Sequence, residues 1–168
     1  MHEQEQRERG MVSFIQSRCS MQLIRQKGDH MDYRNMTAPC GLDCFNSPMY
    51  MASMNEGLRK KIAVKLKIPK EVAQCRGCRK EGGIMAFMKM KESCTVYRCI
   101  EENGIDLCAD CSDFSCDHPH PYADKASAVP HNTKVFNLCL IKKMGLEAWA
   151  AEKAKSVKDT YFKGKFKL

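Results

Sequence analysis

The chain has 168 residues, 43% of them hydrophobic with cysteine counted, and 28 Lys and Arg against 20 Asp and Glu give a formal charge of +8. That size fits one domain, or one small domain plus an extension, and the apolar supply is thin, because eleven cysteines and twelve methionines stand beside only seven Phe, five Tyr and one Trp. No run of residues has the length and apolarity of a membrane span, and the opening MHEQEQRERG lacks the basic-then-apolar pattern of an export signal.

These features lead to the expectation of a cytoplasmic protein with reduced thiols, in which closely spaced cysteines favour metal over disulfides. The positive charge is weaker evidence for a nucleic-acid partner than it looks. Two zinc ions on eight thiolates would remove about four of those charges.

Residues 1–35 are polar and irregular, with a weak helical stripe of Ile15, Cys19 and Leu23. They read as a flexible extension, or as translated sequence ahead of a later start, since Met11, Met21, Met31 and Met36 all offer one. Cys19 has no close partner in sequence and reads as a spectator. From Thr37 the texture changes. APCGLDC carries Cys40 and Cys44 around a glycine. A helix is predicted over about 54–67, with Ser53 and Glu56 as a capping box, Leu58, Ile62 and Leu66 on one face, and Pro69 as the stop. Arg59, Lys60, Lys61, Lys65 and Lys67 read as its solvated face.

CRGC places Cys75 and Cys78 in a tight turn, and IMAFMKMKE over 84–92 is short and compatible with helix. Cys94 and Cys99 would stand about 140° apart on a continuous helix. Cys94 is therefore expected just before a helix, Cys99 within it, and Gly104 at its end. LCADCSDFSC adds Cys108, Cys111 and Cys116. DHPHPYADKASAVPHN reads as an extended connector whose His118, His120 and His131 are spare nitrogen donors. Asn132 is the expected cap of a helix burying Val135, Leu138, Cys139 and Met144, with Cys139 an inert buried thiol. After Gly145 a second helix turns Leu146, Trp149, Ala150 and Val157 inward. Residues 163–168 form a basic tail.

The chemistry concentrates in the cysteines. A CxxC turn presents two sulfurs to one metal, and Cys75/Cys78 and Cys108/Cys111 have that spacing. Cys40/Cys44 and Cys94/Cys99 are looser pairs, and Cys116 is an alternative or ninth thiolate. The metal ligands are expected among Cys40, Cys44, Cys75, Cys78, Cys94, Cys99, Cys108, Cys111 and Cys116, as one or two zinc sites. Contiguous and interleaved divisions both fit the spacing. An iron–sulfur cluster is the alternative cofactor. Asp43 and Asp110 read as turn residues beside the metal. No catalytic constellation such as HExxH, a Walker loop or GxGxxG is present. The expectation leans to a binding module over an enzyme without deciding it.

The order C-G-L-x-C, C-x-G-C, a looser pair, then C-x-x-C with a further Cys after an aromatic resembles the domain of unknown function 3795 family. The match runs through Cys40, Gly41, Leu42 and Cys44, then Cys75, Gly77 and Cys78, then Cys94 and Cys99, then Cys108, Cys111, Phe114 and Cys116. PHNTKVFNLCLIKKMGLEAWA resembles the family's helical C-terminal part, so the likeness covers about Thr37 to Tyr161. Family members often carry a third early cysteine where this chain has Ser47, and an F-P-C ending where it has Phe114-Ser115-Cys116. The resemblance implies a small prokaryotic cysteine-rich protein that binds zinc, and no settled activity.

The expected fold is mainly α, with a small irregular metal-stapled core over 36–162 closed by a C-terminal helical pair. The expected function is a zinc-binding cysteine-rich module, binding or regulatory, with an iron–sulfur redox protein as the alternative. A protein partner is open. A nucleic-acid partner ranks lower, because aromatic residues are not interleaved with the charges. No membrane partner is expected.

Overall fold

The computed structural model describes residues 31–165. The expected stripe of Ile15, Cys19 and Leu23 lies outside the described residues, as do the bulk of the expected extension and the last residues of the basic tail. Among the described residues the chain is mainly helical and has no strand. Its α-helices are α1 (Tyr33–Met36), α2 (Pro48–Met54), α3 (Glu56–Leu66), α4 (Thr95–Glu102), α5 (Lys134–Met144), α6 (Leu146–Glu152) and α7 (Ala154–Lys163), joined by loops and short 3-10 turns. No helix among these residues is long and apolar enough to cross a membrane.

The compact body begins at Asp32 rather than at 36. Asp32 caps α1 by accepting the Asn35 N–H at 3.1 Å. The Tyr33 ring lies 5.1 Å from that of Phe45. Residues 32–35, expected in the extension, are therefore part of the fold.

The helix expected over 54–67 is α3, and its cap differs. Asn55 Oδ1 accepts the Leu58 N–H at 2.9 Å, while Ser53 lies inside α2 and donates to the Tyr50 carbonyl at 2.7 Å. Pro48 at the first helical position starts α2 early, so the chain at Ser53 is already helical and cannot cap. Lys60, Lys61, Lys65 and Lys67 are exposed as expected, but Arg59 is not one of them. Its guanidinium folds back onto the Ala52 and Ser53 carbonyls, both at 3.0 Å, and satisfies the end of α2.

Cys94 precedes α4 and Cys99 lies within it, as the spacing predicts, with Val96 and Ile100 on the buried face. Over 84–92 only Ala86–Met88 is helical, as a 3-10 turn.

The C-terminal pair is resolved into three helices, because the second run breaks at Lys153, whose φ −118 and ψ −38 depart from helical values. The face of α5 also differs from expectation. Lys134, Asn137, Leu138 and Ile141 are buried, whereas Val135 and Cys139 are exposed and Met144 is half-buried. Cys139 is thus not an inert interior thiol. A polar residue explains the rotation. Asn137 Nδ2 donates to the Gly41 carbonyl at 2.8 Å, and its Oδ1 accepts the Trp149 Nε1–H at 3.3 Å, so an amide occupies the centre of the apolar face. Asn132, the expected cap, instead accepts the Tyr122 N–H at 2.9 Å, and Thr133 precedes the helix.

The interior is built around Trp149 and Leu138, both fully buried, with Val96, Ile100, Leu107 and Phe45. Phe45 meets Trp149 edge to face at 6.0 Å. Leu146 and Ala150 are buried, and Val157 is half-buried. Cys40 and Cys108 belong to this same cluster, and Cys44, Cys78 and Cys94 pack against it.

Candidate metal centre

Three loops carry the thiols, and main-chain hydrogen bonds bring them together. The first holds Cys40 and Cys44. Gly41 has φ +81, and a Cβ there would stand 2.9 Å from Leu138 Cγ and 3.2 Å from the Lys134 carbonyl, so only glycine lets α5 lie on this loop. The second holds Cys75 and Cys78. Its Cys75 N–H donates to the Met49 carbonyl at 2.9 Å, which ties it to the start of α2. Gly77 at φ +94 makes the turn, and its N–H reaches Cys75 Sγ at 3.4 Å.

The third loop holds Cys108 and Cys111 and is joined to the first, since the Cys108 N–H donates to the Pro39 carbonyl at 3.0 Å. A relay connects the second loop to α4. The Gly83 N–H donates to the Cys78 carbonyl at 2.9 Å, and the Cys94 N–H to the Gly83 carbonyl at 3.1 Å. Asn103 Nδ2 lies 3.6 Å from Cys99 Sγ.

All nine thiols are free. Cys40, Cys75 and Cys108 are buried, Cys116 is exposed, and the others lie between. Burial pushes the Cys40 thiol up to about 12, with the Lys134 ammonium opposing it and Cys78 and Cys94 adding to it. Cys44 donates to Cys78. That hydrogen bond raises Cys44 well above the ordinary thiol range and lowers Cys78, while Cys40 and Cys75 add to the effect on Cys44. Burial likewise pushes Cys75 up to about 11, and the carboxylate of Glu81 contributes. Cys108 also rises to about 11, first by burial, then through Cys116, Cys99, Cys111 and Cys94 in falling order.

The nine predicted ligands stand on α4 and on loops that main-chain hydrogen bonds tie, the first to the third and the second to the start of α4. Among the described residues no three His, Cys, Asp or Glu side chains form a group that could hold a metal. The donor chemistry fits a soft or borderline cation. Among the described residues Cys44 and Cys78 form a hydrogen-bonded thiol pair.

The two carboxylates read as turn residues do lie at 3-10 turns, Asp43 ahead of Cys44–Asn46 and Asp110 within Cys108–Asp110. Asp43 is buried, accepts from Asn46 Nδ2 at 3.1 Å, and pairs with Lys158 of α7 at 3.4 Å. Asp110 is on the surface, 3.5 Å from Arg34. His118 and His120 are exposed, and His131 is half-buried against α5.

Sequence reasoning missed four supporting side chains. Glu81 accepts the Arg76 N–H at 2.8 Å and hydrogen-bonds Cys75. Arg79 donates to the Asp106 carbonyl at 2.7 Å and the Arg34 carbonyl at 3.2 Å, fixing the loop that follows Cys78. Lys134 is buried beside Cys40. Lys158 donates to the Asn46 carbonyl at 2.7 Å and so anchors α7 to the Cys44 turn. Glu81 and Arg79 could have been found from their place next to a CxxC turn. Lys134 and Lys158 carry no local signal, since they arrive from far along the chain.

Compared with protein-family models, the chain matches the one described as "Protein of unknown function (DUF3795)" over residues 36–121. Neither the comparison with curated proteins nor that with solved structures returned a match.

Proposed function

The chain belongs to the domain of unknown function 3795 family, and from that premise we propose that it is a metal-binding cysteine-rich protein. Zinc is the metal its donors suit best, and its role is that of a binding or regulatory module. One observation carries the reading. Nine free cysteines stand on three loops and α4, of which Cys40 and Cys108 belong to the interior cluster, Cys44, Cys78 and Cys94 pack against it, and Cys75 is buried. A single buried thiol is ordinary small apolar filling, but nine free thiols on neighbouring loops are more than filling needs. A thiol in such a place gains its use by ligating.

When bound, zinc on four thiolates is coordinatively closed and acts as a staple, without an open position for a reacting water. The chain's own residues prepare the loops for that closure. Gly77 turns the second loop, the Gly77 N–H polarises Cys75 Sγ, and Asn137 holds the first loop through the Gly41 carbonyl.

Anaerobic purification followed by metal analysis and an absorption spectrum tests the reading. A colourless protein carrying zinc is expected. A brown protein with visible absorption would move the assignment to an iron–sulfur protein. Metal-free protein whose stability does not respond to added zinc would overturn both.

A further inference from the structure

The C-terminal helices leave a groove of about 510 Å³ that no cysteine lines. α5 supplies one wall through Phe136 and Leu140, about one turn apart, and α7 the other through Val157 and Tyr161, again about one turn apart. Small-molecule sites commonly have volumes of about 300–1,000 Å³, and the groove falls within that range. Exposed aromatic rings gather at the same place. Phe136 is 58% exposed although it lines the groove. The exposed Phe162 ring lies 5.0 Å from that of Tyr161. Tyr122 is held through its main chain to Asn132, another lining residue. Among the described residues Tyr122, Phe136 and Phe162 are the exposed aromatic side chains.

Most polar side chains of the lining are already spent on the protein. Thr133 donates to the Pro130 carbonyl at 2.7 Å, Ser156 to the Lys153 carbonyl at 2.9 Å and Tyr161 to the Ala126 carbonyl at 2.7 Å. Asn132 is occupied by Tyr122. A ligand is therefore left with carbon and one charge. That charge is Lys153, the single ionisable cation of the lining. Other lysines of α7 are paired, Lys155 and Lys163 with Asp159 and Lys158 with Asp43. Lys153 has no such carboxylate among the described residues.

We propose that this groove binds a small amphiphilic acid, with its apolar part between Phe136, Leu140, Val157 and Tyr161 and its carboxylate at Lys153. Lys153 immediately precedes α7, and Tyr161 stands roughly 12 Å further along the helix. The ligand is thus elongated and charged at one end only. A polyanion fits poorly, because the remaining α7 lysines already hold carboxylates. A neutral apolar molecule would leave the ammonium without its charge-assisted partner. The site stands apart from the metal-binding reading and does not depend on it.

Titration of the full chain with octanoate, followed by amide NMR shifts, tests the site, with octanol as the uncharged control. Saturable shifts concentrated on α5 and α7 are expected, and weaker binding of octanol. Lys153→Gln should weaken octanoate about three- to fivefold, the scale of an exposed ion pair, and leave octanol unchanged. Phe136→Ala should weaken both ligands, because both use the apolar wall. Phe136 and Lys153 are exposed, so neither variant removes a buried side chain. Should either fail to fold, the comparison of octanoate with octanol on wild type remains decisive. Shifts that do not saturate, shifts confined to other helices, octanol bound as tightly as octanoate, or octanoate affinity unchanged in Lys153→Gln would each overturn the assignment.

Discussion

The cysteine-bearing stretch from Thr37 to Cys116 and the helices α5 to α7 meet at Gly41, yet they reach order by different routes. In the C-terminal helices the interior is carbon. Leu138 and Trp149 are wholly buried, Ile141, Leu146 and Ala154 surround them, and one amide, Asn137, accepts the Trp149 indole N–H. In the cysteine-bearing stretch α3, as long as α5, buries no residue fully. Several of its interior positions are small, including Ala38, Ala52, Ala73 and Ala109. Thiols stand where larger apolar side chains would otherwise pack. This stretch still buries Phe45, Val96, Ile100 and Leu107, and on the metal-binding reading proposed above, cross-links would add to what that packing supplies.

The sharpest way to break the contrast is to remove the carbon side. Trp149→Ala deletes a fully buried indole and leaves Asn137 Oδ1 without its donor. The expected cost is about 3–5 kcal/mol. Urea unfolding followed by far-UV circular dichroism measures it, since the substitution removes the one tryptophan of the chain. Trp149→Phe should lose less and, on the metal-binding reading, take up as much zinc as wild type. If Trp149→Phe released metal, the two regions would not be built independently.

How far the sequence reveals each region follows from the same contrast. The cysteine loops are legible because paired cysteines around a glycine mark tight turns by local pattern. Cys94 before α4, Cys99 inside it and the Gly77 turn all follow from local geometry. The location of α5 was legible from its apolar content, but its inner face was not. Asn137 and Lys134 are polar, and a reading that sorts polar residues outward must rotate the helix toward Val135 and Cys139. Only the tertiary partners, the Gly41 carbonyl and the Trp149 indole, reverse that choice. Asn55 displaced Ser53 as a cap for a similar reason, because Pro48 had already begun a helix. Lys158 reaching Asp43 was beyond any local reading, since such a contact exists only once α7 has docked.

Gly41 is the place where the regions join, and it offers a smaller perturbation. Gly41→Ala combines a positive φ of +81 with a Cβ 2.9 Å from Leu138 Cγ. Leu138 has no free space to retreat into, being fully buried. A loss of about 1–3 kcal/mol is expected, read as a lower thermal midpoint. Gly77→Ala is the control. Its φ is +94, but the new Cβ would meet the nearest atom, Tyr50 Cε2, at an ordinary 3.5 Å. Strain alone should cost it about 1 kcal/mol. Equal losses at both positions would show that the Gly41 contact with α5 adds nothing.

The smallest effect concerns acid. His131 precedes α5, and burial, aided by the Lys134 ammonium, lowers its pKa from 6.5 to about 4. Its Nδ1 is buried without a hydrogen-bond partner. The folded protein therefore holds this ring neutral where the unfolded chain would protonate it. Between those two values the unfolded state binds more protons, so stability falls as the pH drops from about 6.5 toward 4. The ring is only partly buried, and the contribution is on the order of 1 kcal/mol. On the metal-binding reading, acid would also displace metal from its thiolates, which confounds any single curve on metal-bound protein. The useful quantity is the difference between wild type and His131→Gln, each measured metal-free by urea unfolding from pH 7 to 4. Wild type should lose more stability than the variant across that interval. Parallel curves would mean that the ring charges as readily in the fold as outside it, and that α5 begins in a wetter setting than its buried Lys134 and Asn137 imply.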